Sequence, residues 1–462
     1  MLVKKVETFL EQKGYELKDK RILVGVSGGP DSLALLHYLW TQREKRNLFL
    51  VAAHVDHMFR GEESLQDAIF VQRFCESRNI PFEMEQMNVP AYMRQTGLSS
   101  QQAARECRYK FFERLMNEYA MDFLVLGHHG DDQVETILMR LTRGSTGKAR
   151  AGIPFSRPFQ KGEIIRPFLC INREEIEGYC IEHQLKPRRD PSNEKETYSR
   201  NRYRKHVLPF LQKENPRVHE HFRRFSEELQ SDEDVLVTLA EEKMRKVIKE
   251  KKDGEIIILI QGFIAMPMPL QRRGIQLILN YLYKEKPPSL SAIHIDQLFS
   301  IIRSPQPSGV LDFPNGLKVV RSYNECGFYS SCKDSPSFRY EIGGPGEWHI
   351  PNGSIITMEF VDEPSQEFMS RNHLLLNPEQ VTLPLVIRTR EHGDWMTVKG
   401  MKGTKKLNRI FIDEKVPMLD RKGWPIITDY FNEIIWLPAL KEADLSLKPT
   451  NGSYILLTYK KL

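Results

Sequence analysis

The sequence predicts an α/β fold in which a doubly wound parallel sheet is followed by a helical domain and a mixed, β-rich C-terminal domain. Short apolar runs alternate with helix-like segments up to about residue 210, as in parallel α/β sheets. The middle of the chain is rich in helix-like segments, and Pro-Asn-Gly turns then separate short apolar runs. A chain of 462 residues also has room for about three domains of ~150 residues. We therefore expect domains at 1–210, 216–305 and 308–462.

The elements of the first domain follow from their apolar patterns. Segments 21–26, 48–55 and 123–127 are short and apolar, which is typical of buried parallel strands. Helices are predicted between and after them, at 32–40, at 63–78, at 100–119 with Ser99 or Ser100 as the cap, and at 132–141. In a doubly wound sheet, ligands bind at the carboxyl ends of the strands. The residues that follow each strand are therefore the candidates for a site.

Composition excludes several classes of protein. No stretch approaches 18 consecutive apolar residues, and the charged N-terminus does not resemble a signal peptide. We therefore expect a cytoplasmic protein with no membrane partner. The six cysteines form no C-x-x-C pair, so we expect free thiols and neither a structural zinc ion nor an iron–sulfur cluster.

Positive charge is concentrated in two windows of the sequence. Residues 186–206 contain eight Lys/Arg against three Asp/Glu, and residues 388–409 contain seven against two, whereas the whole chain has a net charge of only +6. Confined basic charge is typical of proteins that bind a polyanion, although two solvated surface faces are the alternative. Arginine and tyrosine also alternate over 198–204, which suits contact with phosphates and stacking of an unpaired base.

The first strand is followed by the hexapeptide Ser-Gly-Gly-Pro-Asp-Ser, which leads into a helix. Paired glycines let the backbone approach a ligand, and a helix N-terminus offers free N–H groups and the positive end of a dipole. The serines add hydroxyl donors, and the aspartate can hold Mg²⁺. We therefore predict a phosphate or pyrophosphate site made by Ser27, Gly28, Gly29, Pro30, Asp31 and Ser32.

Other phosphate loops fit this sequence poorly. A Walker A loop needs G-x-x-x-x-G-K-[ST], but Gly147-Lys148 is followed by Ala149 and lacks the upstream glycine. The dinucleotide fingerprint G-x-G-x-x-G does not occur at this loop either. A plain strand-to-helix turn with a serine cap is the remaining, structural alternative.

Polar residues follow two further strands. His54 and Asp56 belong to a His-Val-Asp-His segment that should flank the nucleotide. The segment Gly-His-His-Gly-Asp-Asp-Gln-Val-Glu-Thr at 127–136 places Asp132 and Glu135 three residues apart, and hence on one helix face. This pair suits a cation, either Mg²⁺ or an ammonium group. A zinc site at the tandem histidines, or acids that only stabilise a helix N-terminus, are the alternatives.

Two arginines stand beside a tyrosine on the predicted helix 100–119. Arg105 and Arg108 are three residues apart, next to Tyr109. Cationic side chains at such a position can neutralise phosphate charge in a transition state. The alternative is that both are surface residues.

Taken in chain order, these motifs resemble the tRNA(Ile)-lysidine synthetase family of the N-type ATP pyrophosphatase (PP-loop) superfamily, which cleaves ATP to AMP and pyrophosphate. The matching motifs lie within residues 21–209: S-G-G-P-D-S, H-V-D-H, A-R-x-x-R-Y, G-H-H-x-D-D-Q-x-E-T, D-P-S-N and R-N-x-Y-R. The stretch 393–417 is similar to the family's C-terminal domain, although Trp395-Met396 stands where the family often has a Phe or Arg nearby.

The resemblance implies a ligase reaction in two steps. The O2 atom of the wobble cytidine attacks the α-phosphate of ATP and releases pyrophosphate. The ε-amine of lysine then attacks C2, expels AMP and forms lysidine. The implied partners are ATP, Mg²⁺, free lysine and tRNA(Ile) with a CAU anticodon, and a homodimer is a possible assembly.

The site residues implied by the resemblance divide by role. The catalytic residues would be Asp31, Arg105, Arg108, Asp132, Glu135 and Arg204, with Asp31 also holding the metal. The ATP site would comprise the loop 27–32 with His54 and Asp56. The lysine site would comprise His128, Asp132 and Glu135. The tRNA-binding residues would be Arg200, Arg202, Lys399, Lys402, Lys405, Lys406 and Arg409.

Three other functions explain the sequence less completely. Another PP-loop tRNA-modifying enzyme, such as a cytidine thiolase, would carry C-x-x-C pairs for sulfur transfer, which this sequence lacks. A small-molecule amidotransferase or ligase leaves the two basic windows unexplained. A non-catalytic RNA-binding protein leaves the phosphate loop and its acidic partner unexplained.

Overall fold

We describe the fold from a computed structural model covering residues 1–59, 62–188, 196, 198–283, 287, 290, 292–330, 336–362, 368, 370–445 and 453–461. The Asp-Pro-Ser-Asn motif at 190–193 lies outside the described residues. The described chain divides into two compact units, Met1–Leu239 and Ala240–Leu462. None of its described helices combines the length and apolar character that a membrane crossing requires.

The first unit is built on a sheet whose strands are β1 (Arg21–Gly25), β2 (Phe49–Asp56), β3 (Phe82–Gln86), β4 (Phe123–Val125), β5 (Ser156–Phe159) and β6 (Gly162–Ile165). Their order is β3-β2-β1-β4-β6-β5. All neighbours pair in parallel except β5, which runs antiparallel along β6 at the edge. The predicted parallel α/β sheet is confirmed, with β1 and β4 adjacent near its middle.

The helices of this unit are α1 (Leu2–Gln12), α2 (Pro30–Gln42), α3 (Glu62–Glu76), α4 (Val89–Thr96), α5 (Ser100–Glu118), α6 (Gly130–Thr142), α7 (Arg173–Glu182), α8 (Ser199–Arg202) and α9 (Leu208–Glu214). A π-helical turn, Tyr203–Val207, joins α8 to α9, and α10 (Val218–Val247) runs across the boundary between the units. Ser99 is the N-cap of α5, where it forms a reciprocal capping box with Gln102.

Successive residues of β1 pack on opposite faces of the sheet. Ile22 and Val24 belong to a core that includes side chains of α1, α2 and α7. Leu23 belongs to a second core, on the face covered by α5. Because helices cover both faces, the strand ends are the open part of the sheet, as in other doubly wound folds.

The second unit contains helices and mainly antiparallel strands. Its helices are α11 (Ile260–Ile264), α12 (Met268–Leu282), α13 (Ala292–Arg303), α14 (Leu407–Asp413) and α15 (Asp420–Gly423). Its first sheet has the order β7-β8-β11-β10-β9, with β7 (Ile248–Lys252), β8 (Glu255–Leu259), β9 (Ser308–Asp312), β10 (Lys318–Ser322) and β11 (Glu325–Tyr329).

The later strands are β12 (Arg339–Ile342), β13 (Gly346–His349), β14 (Ser354–Val361), β15 (His373–Leu376), β16 (Leu385–Arg388), β17 (Trp395–Thr397), β18 (Thr404–Lys406), β19 (Ile426–Thr428), β20 (Ile434–Leu437), β21 (Lys441–Glu442) and β22 (Tyr454–Lys461). They form sheets of order β12-β16-β19-β20-β21 and β13-β14-β22-β15, and a β17–β18 hairpin. Buried residues of the two larger sheets, mostly Ile and Leu with Met358, Trp436 and Tyr459, belong to one core.

The segment expected to be helical, 216–305, also contains the β7–β8 hairpin. Asp253-Gly254 makes the turn, with Gly254 at a φ of +72°, and isoleucines fill β8. Strand β8 pairs with β11, so these residues share a sheet with 308–329. The expected boundary between 305 and 308 therefore falls inside a group of paired strands.

Candidate active site

The phosphate loop connects β1 to α2, and its own side chains hold its shape. Gly28 has a φ of +86°, a left-handed conformation that favours glycine. The Ser32 hydroxyl accepts a hydrogen bond from the Ser27 N–H at 3.1 Å and donates one to the Gly29 carbonyl at 3.3 Å. Pro30 is the first residue of α2, where the missing N–H has no intrahelical role. The helix N-terminus behind the loop is therefore available to an anion.

The end of β4 lies directly against this loop. A Cβ atom built on Gly127 would lie 3.1 Å from the backbone carbon and oxygen of Asp31, and 3.2 Å from the nitrogen of Ser32. Any residue other than glycine would therefore push the loop and the strand end apart. Two motifs that are far apart in the sequence thus form one continuous surface.

Asp31 presents an unpaired carboxylate oxygen to this surface. Its Oδ1 atom is buried without a hydrogen-bond partner among the described residues, and it lies 3.9 Å from Nε2 of His129. Burial raises the pKa of Asp31, and the nearby His129 lowers it in part. Mg²⁺ is commonly held by one or two carboxylates together with substrate phosphates, which fits such an oxygen. The described residues contain no group of three or more His, Cys, Asp or Glu arranged to hold a metal without such help.

His129, which the sequence analysis did not assign, connects the loop to the acidic helix α6. The ring is almost fully buried, and its Nε2 atom lies 3.9 Å from Asp31 and 3.6 Å from Asp132. Its Nδ1 atom lies 3.8 Å from the buried Asp131. The tandem histidines were the available signal, but the sequence did not indicate that the second one faces the carboxylates.

Asp132 and Glu135 meet as predicted on one face of α6, but arginines already occupy them. Arg200 donates to Asp132 Oδ1 and Glu135 Oε2, both at 2.8 Å. Arg204 donates to Glu135 Oε1 at 2.7 Å and to Asp132 Oδ1 at 3.3 Å. Burial alone would raise the pKa of Asp132, but His129 and the arginines hold it well below its usual range. We call these four residues the α6 ion-pair network.

The network places two arginines differently from the sequence expectation. Arg200 was expected to bind tRNA and Arg204 to be catalytic, but both guanidinium groups bind carboxylates. Arg202, on the same turn, donates to the backbone oxygen of Glu196 and to the Ser199 hydroxyl. Helical geometry explains why Arg202 has different partners, because residues 200 and 204 are four apart and share a helix face, whereas residue 202 lies on another face.

His128 precedes the network with an unpaired ring nitrogen. Its Nδ1 atom is buried without a partner among the described residues. Burial lowers the pKa of His128 to about 3, so the imidazole is neutral at physiological pH. The lysine site expected at His128, Asp132 and Glu135 stays a prediction, and the charge of its two carboxylates is balanced by Arg200 and Arg204.

The end of β2 supports the loop from its other side. The buried His54 ring bonds through Nδ1 to the carbonyl of Val26, the residue before the loop, at 2.9 Å. Asp56 accepts hydrogen bonds from the Met58 N–H at 2.9 Å and from Gln86 at 3.3 Å. His54 and Asp56 are therefore hydrogen-bonded to other protein groups, at the edge of the sheet where the nucleotide was expected.

The paired arginines of α5 point to different neighbours. Arg108 Nη2 lies 3.1 Å from Nε2 of His57, which follows β2. Arg105 Nη2 instead donates to the Tyr109 hydroxyl at 3.4 Å. Only Arg108 is therefore placed by a direct contact beside the strand end that carries His54.

Comparisons with known proteins extend over the whole chain. Residues 2–211 match the family model of the PP-loop domain, residues 259–326 that of the TilS substrate binding domain, and residues 385–453 that of the TilS substrate C-terminal domain. The tRNA(Ile)-lysidine synthase of Bacillus cereus is 50% identical to this chain, over 99% of this chain and 97% of that relative. The chain belongs to the tRNA(Ile)-lysidine synthase family.

Two further proteins are similar to this chain. The Geobacillus kaustophilus protein of that name is 45% identical over 100% of both chains. A crystal structure of a TILS C-terminal domain is 36% identical, and the match covers 28% of this chain and 98% of that chain with a TM-score of 0.27. Membership confirms the resemblance seen in the motifs, identifies the chain as an ATP-using enzyme of the PP-loop class, and sets aside the cytidine thiolase alternative.

The second basic window, residues 388–409, lies within the residues that match the C-terminal domain of the tRNA(Ile)-lysidine synthase family. Three of its predicted tRNA-binding residues form ion pairs, namely Lys399 with Glu442, and Lys405 and Arg409 with Asp413. Lys402 and Lys406 are exposed and have no ion-pair partner within the described residues. Lys406 pairs across the β17–β18 hairpin with Trp395, whose side chain is 54% exposed. This hairpin therefore offers unpaired positive charge beside an aromatic ring.

Proposed function

We propose that this chain adenylylates the wobble cytidine of a tRNA(Ile) with a CAU anticodon on its O2 atom, and then joins free lysine to C2, which expels AMP and forms lysidine. The observation that carries the proposal is the 50% identity, over 99% of the chain, to a tRNA(Ile)-lysidine synthase. The site agrees with it, because a phosphate loop and a charge-balanced network with buried carboxylates meet at the carboxyl edge of one sheet.

The phosphate loop would hold the ATP phosphates. The N-terminus of α2 and the hydroxyl of Ser27 would stabilise the negative charge that moves onto the pyrophosphate as the cytidine O2 attacks. Asp31 would hold Mg²⁺ through its unpaired Oδ1, and Mg²⁺ would supply further positive charge to the phosphates. His54 would keep the loop in place through its bond to Val26, and Arg108 would face the adenylate from α5.

The second step requires lysine with an uncharged ε-amine at C2. His128, Asp132 and Glu135 line the place that we assign to lysine. With Arg200 and Arg204 bound, the two carboxylates have no excess negative charge, which disfavours a protonated amine. A lysine that binds as a cation would therefore have to exchange with one of these arginines.

Lysine- and tRNA-dependent pyrophosphate release tests the proposed function. The purified chain is incubated with ATP and Mg²⁺, with and without lysine, and with and without bulk tRNA. We expect pyrophosphate release that requires tRNA, AMP release that also requires lysine, and lysidine in the digested tRNA by mass spectrometry. A transcript with uridine at the wobble position should be inactive. Pyrophosphate release that is independent of tRNA would contradict the proposal.

The setting of this reaction follows from its substrate. We propose that the enzyme acts in the cytoplasm, where tRNA is modified. A homodimer is also predicted as a possible assembly, and sedimentation velocity over a range of concentrations measures it directly.

A further inference from the structure

Tyr109 lies among guanidinium groups that come from distant parts of the sequence. Arg105 Nη2 donates to the Tyr109 hydroxyl at 3.4 Å, and its guanidinium carbon lies 4.7 Å from the ring centre. The guanidinium of Arg157 lies 5.2 Å from the same ring centre. Burial alone would raise the pKa of Tyr109, yet the charges of Arg105, Arg157 and Arg166 lower it overall. We call Arg105, Tyr109, Arg157 and Arg166 the Tyr109 cluster.

No carboxylate of the described residues neutralises the positive charge of the Tyr109 cluster. Within the described residues, none of its arginines has a carboxylate partner. Arg166 is only 3% exposed; its Nη1 donates to the Pro154 carbonyl at 2.7 Å, and its Nε has no hydrogen-bond partner in the part of the chain that the structure describes. Burial lowers the pKa of Arg166 to about 10. Buried cations are costly unless they are compensated, so an anion at this position would stabilise the cluster.

The cluster faces the same edge of the sheet as the phosphate loop, at a different place. Arg166 directly follows β6, and Arg157 on β5 is paired with Ile164 near the end of β6. Strand β4 lies between β6 and β1, so the cluster is displaced from the phosphate loop by two strand spacings, roughly 10 Å. A phosphate bound at the cluster is therefore distinct from one bound in the loop.

The chemistry of the cluster indicates what kind of anion it binds. Arginine forks match the oxygens of a phosphate group and bind it with paired hydrogen bonds. Arg105 and Arg157 both lie over the ring of Tyr109, so guanidinium groups already contact this ring. The available groups are N–H donors, which suit a phosphate rather than a nucleobase.

Building on the proposed function, we propose that the Tyr109 cluster binds a phosphodiester of the tRNA backbone beside the wobble cytidine. This contact would hold the reacting nucleotide next to the ATP site. Arg157 and Arg166 are thereby assigned to substrate positioning. The other possible source of the phosphate group is ATP, which the experiment distinguishes.

The test compares Arg157→Ala with Arg114→Ala. Arg114 also lies on the α5 side of the sheet, but it pairs with Glu85 at 2.9 Å and is therefore a matched control. Each full-length protein is titrated with a tRNA anticodon stem-loop, and with versions in which one phosphodiester flanking the wobble cytidine is an uncharged methylphosphonate. KM values for ATP and for tRNA are measured in parallel.

We expect Arg157→Ala to weaken stem-loop binding roughly tenfold, the effect of one charge-assisted contact, and Arg114→Ala to leave it unchanged. One methylphosphonate should weaken binding to the wild type by a similar factor but have little effect on Arg157→Ala, because the two changes remove the same contact. Arg157→Lys, which keeps the charge but loses the fork, should give an intermediate affinity.

Two outcomes would overturn the proposal. Arg157→Ala could behave like Arg114→Ala with every RNA, or it could raise the KM for ATP while RNA binding stays normal. Thermal melting of both variants shows whether either effect comes from misfolding, and Tyr109→Phe then probes the cluster without removing a charge. Failure of the proposed function is recognised separately, because wild-type protein would then release no pyrophosphate in response to tRNA.

Discussion

At the scale of single residues, the proposed metal-binding role of Asp31 depends on one carboxylate oxygen. Its buried, unpaired Oδ1 is the oxygen proposed to hold Mg²⁺. Asp31→Asn keeps the shape and removes the charge, so we expect pyrophosphate release to fall at least about 100-fold, within the range seen when a group that stabilises a transition-state charge is removed. Affinity for tRNA, measured by filter binding, should change less than twofold. Near-normal pyrophosphate release from this variant would contradict a metal-binding role.

Gly127 provides a second test at this scale. An alanine Cβ would press on the backbone of Asp31 at 3.1 Å, and would displace the phosphate loop. Because small misplacements of reacting groups can cost about 100-fold in rate, we expect Gly127→Ala to lower kcat strongly and tRNA affinity little.

Gly178→Ala is the matched control for that variant. Gly178 lies within α7, and a Cβ there would meet open space. This variant should retain full activity and gain up to about 1 kcal/mol of stability from its better helix propensity. Equal activity of the two glycine variants would show that the contact between loop and strand end is not required.

At the scale of elements, the α6 ion-pair network joins α6 to the helical segment that begins with α8. Its carboxylates are buried, and Arg200 and Arg204 bridge both of them. If this network also positions lysine, Glu135→Gln should leave adenylylation within about tenfold of normal and slow the attack of lysine much more. The weakened pairs should also lower the free energy of unfolding by at least about 1 kcal/mol.

Trapping with labelled ATP separates these half-reactions. Adenylylated tRNA should accumulate in Glu135→Gln and disappear only slowly after lysine is added. Glu118→Gln, which changes an exposed partner of Arg114, serves as the control and should show normal kinetics. An equal loss of both steps in Glu135→Gln would instead indicate that the network is needed before lysine reacts.

At the scale of the whole molecule, basic charge occurs in both units, whereas the catalytic motifs all lie in the first. We therefore expect the β17–β18 hairpin to bind tRNA outside the anticodon. Replacing Lys402 and Lys406 by alanine should raise the KM for full-length tRNA and reduce its log–log salt slope by up to about 1.8, or roughly 0.9 for each phosphate contact. The KM for an isolated anticodon stem-loop should stay unchanged.

Lys441→Ala is the control for this double variant, because Lys441 lies in the same domain and is paired with Glu414 at 2.8 Å. It should change neither the KM nor the salt slope. If the double variant binds full-length tRNA like the wild type, the hairpin lysines are a solvated rim, and docking depends on the window 186–206.

Much of the fold of the first unit could be predicted because short patterns within single segments of the sequence indicate its strands and its phosphate loop. The apolar runs of β1, β2 and β4 indicate buried strands, and the glycines of the phosphate loop indicate a turn that approaches a ligand closely. The loop's place between a strand and a helix then indicates its chemistry. The β7–β8 hairpin was missed even though Asp253-Gly254 is a recognisable turn, because the flanking lysines and glutamates also suit a helix.

By itself, the sequence determined the family, the parallel sheet and the motifs that gather at its carboxyl edge. Only the tertiary structure decided which charges meet there. Arg200 and Arg204 bind Asp132 and Glu135, and His129 faces Asp31. Arg166 joins Tyr109, and no described carboxylate pairs with it. The physical reason is that an ion pair depends on distance and burial between elements far apart in the chain. A sequence motif specifies the conformation of its own segment and not the partner that packing brings to it.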